Sequence, residues 1–117
     1  MRKLRLGLAQ INPTVGDLEG NTEKIKGFID RAEERGVDLV CFPELAIPGY
    51  PPEDLLLKPS FLQDNLEALR EVISHTKGKG LVCVVGFIDV GEDLYNAAAI
   101  IYEGELKGVC LLYTSPS

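Results

Sequence analysis

The sequence predicts an α/β fold, with one sheet of about five strands and two main helices on one side of it. Three observations carry this. Hydrophobic periodicity switches from two to about 3.6 and back between Leu4 and Phe42, which is a strand–helix–strand unit. Leu81–Ile88 is almost wholly apolar, as a strand buried on both faces must be. Two further runs, Tyr95–Tyr102 and Leu106–Val109, follow across short turns rich in Gly, Asp and Glu.

Taken in order, Leu4 to Ile11 alternates, with Leu4, Leu6 and Leu8 on one face. Asn12-Pro13 breaks the strand and Val15-Gly16-Asp17 supplies a turn. From about Asn21, residues Ile25, Phe28, Ile29 and Ala32 form a single helical stripe. Asn21 or Thr22 is the expected N-cap, and Gly36 stands where a left-handed residue closes the helix. Val37–Phe42 is the next strand, and Pro43 ends it because it has no N–H to give. Pro59-Ser60 opens a second helix with an expected buried stripe of Leu62, Leu66, Leu69 and Ile73. His75 falls in its last turn, where protonation favours the helix dipole.

The stretch from Val37 to Leu57 organises the rest. Glu44 follows Pro43, so a carboxylate stands one step beyond the carboxyl end of a buried strand. Open α/β sheets keep their ligands there. The segment Pro48-Gly49-Tyr50-Pro51-Pro52 fixes several φ angles, so it costs little entropy to hold in one shape and suits a pocket wall. Glu44 is expected to turn into a crevice beside that loop rather than out to water.

Composition narrows the function. At 117 residues the chain is at most one domain, able to bury roughly two-thirds of its unfolded surface. The net charge of −6 offers no basic patch, which argues against a nucleic-acid partner. No apolar run is long enough to span a bilayer, and polar Gln10, Asn12 and Asp17 interrupt the start too early for a signal peptide. Cys41, Cys83 and Cys110 each lie in an apolar run without metal-ligand spacing. They are read as buried packing in a reducing, cytoplasmic compartment. The acidic turn Asp89–Asp93 is read as solvated rather than as a cation site. No glycine-rich phosphate loop is present, so no cofactor or metal is expected on this chain.

The runs LAQINPTVGDLEGN (Leu8–Asn21) and FPELAIPGYPPEDLL (Phe42–Leu56) resemble the nitrilase-superfamily (carbon–nitrogen hydrolase) glutaminase domain of glutamine-dependent NAD synthetases. Pro-Glu-Leu is common to the superfamily, whereas Gly-Tyr-Pro-Pro-Glu-Asp-Leu-Leu is narrower. The resemblance runs from about Leu4 to Val109 and covers only the front of such a domain. It implies an incomplete nitrilase-type α-β-β-α sandwich, with Glu44 as the general base of a Glu-Lys-Cys triad and Tyr50 lining the glutamine pocket. It further implies that the cysteine attacks the glutamine side-chain amide and that the ammonia released reaches a separate synthetase domain of the same chain. That domain uses ATP and Mg to amidate nicotinic acid adenine dinucleotide, in a homo-oligomer.

The likeness stops after Val109. Leu112 stands where the resemblance implies the lysine, and the cysteine nucleophile falls further downstream. Residues 1–109 are therefore expected to be the front of a glutaminase domain and 110–117 (CLLYTSPS) a non-native tail, inactive together as they stand. Lys107 is no substitute, since five residues along a strand is roughly 16 Å and reverses the face. Two other readings compete: another nitrilase-type amidase, and a truncated non-catalytic interaction protein.

Overall fold

The computed structural model describes residues 3–114. Its elements run β1 (Leu6–Leu8), α1 (Leu18–Glu34), β2 (Leu39–Cys41), a 3₁₀ turn (Glu53–Leu57), α2 (Pro59–His75), β3 (Val82–Val90), β4 (Leu94–Tyr102) and β5 (Glu105–Thr114). One five-stranded sheet has the order β1-β2-β3-β4-β5. The first three strands are parallel, and β4 and β5 return antiparallel. The predicted α/β class, five strands and two helices are all present.

Several boundaries move. The β1–β2 ladder has only three pairs, Leu6–Leu39 to Leu8–Cys41. Single bonds continue it at each end, from Ala9 N to the Cys41 carbonyl and from Asp38 N to the Arg5 carbonyl. Helix α1 begins a turn earlier than predicted because Asp17, not Asn21 or Thr22, caps it. The Asp17 carboxylate accepts from Gly20 N at 2.9 Å.

The buried face of α2 is rotated from the predicted leucine stripe. It carries Phe61, Asn65, Ala68, Leu69 and Val72, while Leu62, Leu66 and Ile73 are half-buried at its sides. Asn65 causes this. Its amide takes both backbone groups of Ile88, Nδ2 to the carbonyl at 2.7 Å and Oδ1 from the N–H at 3.2 Å. The last β2–β3 pair is Cys41–Val84, so the side chain serves β3 where its neighbour has ended.

Both helices cover one face of the sheet. Ile25, Ile29 and Ala32 from α1 and Leu69 and Val72 from α2 share a core with Val40, Cys83, Val85, Phe87, Ala97, Ala99 and Ile101. Complete burial of such side chains is worth about 1.5–3 kcal/mol each. On the other face, residues paired with one another point the same way. Leu6 and Leu8 on β1, and Ile100 and Tyr102 on β4, stand exposed there. The alternation predicted for Leu4, Leu6 and Leu8 is thus real, but that face is the open one.

His75 does close α2, and its partner is a residue of α1. Nε2 lies 2.8 Å from Asp30 Oδ1, which also meets Lys79 Nζ at 3.0 Å. Cysteine burial is mixed. Cys83 is buried and Cys41 half-buried, whereas Cys110 is exposed on the edge strand, contrary to expectation. Strand β5 crosses the expected 109/110 boundary without a break, pairing Cys110 with Ala98 and Leu111 with Ala97. Residues 115–117 of the expected tail lie outside the described residues.

Candidate active site

Strand β2 ends at Cys41, and Phe42 N still bonds the Val84 carbonyl at 2.9 Å. Pro43 then releases the chain and Glu44 follows, one step past the strand as predicted. The backbone from Pro43 to Leu45 passes directly over β3 at Gly86. A Cβ on Gly86 would lie 2.8 Å from the Pro43 carbonyl oxygen and 3.1 Å from the Glu44 carbonyl carbon. Only glycine permits that approach. Ile47 N then bonds the Gly86 carbonyl at 3.1 Å. Leu45 has φ 51°, a left-handed conformation uncommon in a leucine and found where surrounding structure enforces it.

The stiff loop is pinned from α1. Asn21, fully buried, accepts from Thr14 N at 2.7 Å and donates Nδ2 to the carbonyls of Thr14 and Ile47 at 2.8 and 2.9 Å. Gly49 has φ 86°, and a Cβ there would stand 2.8 Å from the Thr14 carbonyl oxygen. Two segments far apart in sequence, 14–16 and 45–49, are therefore held as one wall.

Glu44 is exposed, so the expected turn into a crevice is not found. The physical reason is the uncovered sheet face on which it lies. It is nevertheless held, because Asn96 Nδ2 donates to Glu44 Oε1. Asn96 sits on β4 beside Ile88 and is only 3% exposed. The sequence reading did not single it out, although it is the one amide in the run YNAAAIIY. Tyr50 stands in the same loop, 59% exposed.

Leu112, Lys107 and Cys83 are the other residues that bear on the expected chemistry. Strand β5 passes from Tyr113, paired with Asn96, to Leu111, paired with Ala97. Leu112 is thus the extra residue of a β-bulge, a device that re-aims side chains beside active sites. It is apolar and half-exposed. Lys107 pairs with Glu105 at 2.8 Å, near the other end of the strand. Burial pushes the Cys83 thiol up to about 12, so no thiolate forms there near neutral pH. Among the described residues no group of three His, Cys, Asp or Glu side chains could hold a metal ion. No described helix is long and apolar enough to cross a membrane.

The chain is 52% identical over 109 residues to a glutamine-dependent NAD(+) synthetase of Thermotoga maritima, covering 93% of this chain and 19% of that protein. It thus spans about a fifth of that relative's length. A solved glutamine-dependent NAD+ synthetase from Acinetobacter baumannii, in complex with ADP, superposes with a TM-score of 0.86 at 34% identity, over 97% of this chain and 22% of the other. An amidase from Nesterenkonia sp., of the nitrilase superfamily, superposes with a TM-score of 0.82 at 23% identity over 92% of this chain and 42% of its own. That last likeness speaks for the fold, which is the expected nitrilase type. A profile of the carbon–nitrogen hydrolases matches residues 5–109, nearly the whole length, and the chain belongs to that family.

Proposed function

We propose that residues 1–109 are the front part of a glutamine amidohydrolase domain that supplies ammonia for NAD synthesis from nicotinic acid adenine dinucleotide. One observation carries this. Glu44 stands at the carboxyl end of β2, held by Asn96, in a chain about half identical to a glutamine-dependent NAD synthetase. A carboxylate so placed accepts the proton of an attacking thiol and returns it to the leaving ammonia. Tyr50 bounds the glutamine site from the Pro48–Pro52 loop. The cysteine that attacks the side-chain amide and the lysine that stabilises the oxyanion belong to sequence beyond residue 109. The family profile ends there as well.

The rest of the scheme belongs to the complete enzyme. ATP and Mg act in its synthetase domain, a reading supported by the ADP complex of the A. baumannii relative. The family resemblance supports a homo-oligomer, and three free cysteines support the cytoplasm. Exchange of residues 1–109 into the T. maritima synthetase, in place of its matching segment, tests the reading. The chimera is expected to make NAD with glutamine as nitrogen donor. Synthesis with ammonia but none with glutamine would contradict the proposal.

A further inference from the structure

We propose that Asn96 is a positioning residue for Glu44, fixing the carboxylate that exchanges the proton. This rests on the glutaminase reading above. Glu44 is an exposed side chain on a loop, and such a side chain left to itself samples several rotamers. Asn96 is the reverse: buried to 3% exposure on a central strand, with its backbone registered against Ile88. Its Nδ2 donates to Glu44 Oε1. The opposite amide orientation would set two acceptors face to face, so the assignment follows from the chemistry.

The amide's other end makes the case sharper. Asn96 Oδ1 is buried and has no hydrogen-bond partner among the described residues. A buried acceptor left unpaired opposes folding, and the three following residues, Ala97, Ala98 and Ala99, show that small apolar side chains fit this strand. An asparagine kept for packing alone would be a poor choice here. The contact that it does make is to the proposed base.

Two strands contribute to the placement of Glu44. Gly86 on β3 sets its backbone height by letting Pro43–Leu45 pass close, and Asn96 on β4 sets its carboxylate.

The test uses the chimeric synthetase described above. Asn96→Leu keeps the side chain's size and removes both the donor and the unpaired acceptor. The glutamine-driven kcat is expected to fall about tenfold to hundredfold, the range for losing a hydrogen bond to a charged group. KM for glutamine stays within about twofold and the ammonia-driven rate is unchanged, because Asn96 acts on the base and not on substrate binding. Asn96→Ala, which removes the donor together with the rest of the amide, is expected to give the same split. A glutamine-driven kcat within about twofold of the parent in both variants overturns the proposal. Equal loss with both nitrogen donors in both variants also overturns it, since that marks a residue of the fold. Glu44→Gln in the same chimera separates the two ideas: full glutamine-driven activity in that variant removes the glutaminase reading itself, whatever Asn96 does.

Discussion

Asn21 Nδ2 lies 2.9 Å from the Ile47 carbonyl, so the first helix holds the loop that follows Glu44. The same amide spans Thr14, accepting from its N–H and donating to its carbonyl. Asn21→Asp would replace two donated hydrogen bonds by a buried carboxylate facing two carbonyl oxygens. A destabilisation of about 2–4 kcal/mol is expected, read from urea denaturation of variant and parent. A change below about 0.5 kcal/mol would mean that the loop does not depend on this amide.

Gly86→Ala places a methyl group against the backbone of Pro43, Glu44 and Leu45. Backbone cannot swing aside as a flexible side chain does, so the loop must lift or β3 must shift. The cost is expected to be about 1–3 kcal/mol. The melting temperature should fall, and glutamine-driven synthesis by the chimera should fall more than ammonia-driven synthesis, because the displaced residue is Glu44. Equal loss of the two activities would place the strain elsewhere.

Asp30 gives a pH-dependent contribution with a definite sign. Burial raises its carboxyl, but hydrogen bonds from Lys79 and His75, with their charges, outweigh that and hold it below its ordinary value. Its stabilisation is therefore present above the unfolded pKa and lost as pH falls through the folded one. Lys79 is raised, chiefly by its hydrogen bond to Asp30. Its share is present below the ordinary lysine pKa and lost as pH rises through the raised value. Asp30 is half-exposed and the pair is screened from that side, so Asp30→Asn should cost less than about 1 kcal/mol at neutral pH. The difference from the parent should vanish near pH 2 and shrink again above about pH 11. A constant difference across the range would mean that the ion pair is not the cause.

The open sheet face makes a prediction about solution behaviour. Leu6, Leu8, Ile100 and Tyr102 stand exposed on it, and monomers rarely leave contiguous apolar surface of that kind uncovered. Light scattering of chain 1–117 is expected to show oligomers or aggregates. A clean monomer with a sharp cooperative melt would contradict the view that this face lacks its second layer.

Most of the fold could be read in the sequence because hydrophobic periodicity records burial directly. Leu81–Ile88 and YNAAAIIY became β3 and β4 nearly as their patterns require. Glu44 could be placed because Pro43 must end β2. Three misses share one cause, the side-chain amide. Asn21 resembles a helix cap, Asn65 resembles a solvent-facing residue and Asn96 a polar intrusion into a strand. Each is buried and bonded to a group distant in sequence: Ile47, Ile88 and Glu44. Such bonds leave no periodic trace. Pattern reading therefore gave Asp17's cap to Asn21 or Thr22, turned α2 by about one position and passed over the contact to Glu44.

Whether Glu44 is the proton acceptor of a glutaminase site is decided by a single substitution. Glu44→Gln keeps the shape and removes the basic oxygen. In the chimeric synthetase it is expected to abolish glutamine-driven NAD synthesis and leave ammonia-driven synthesis nearly intact, because only the first needs a base at position 44. Steady-state rates with the two nitrogen donors, measured side by side, decide the matter. Equal loss of both activities, or retention of both, would contradict the account.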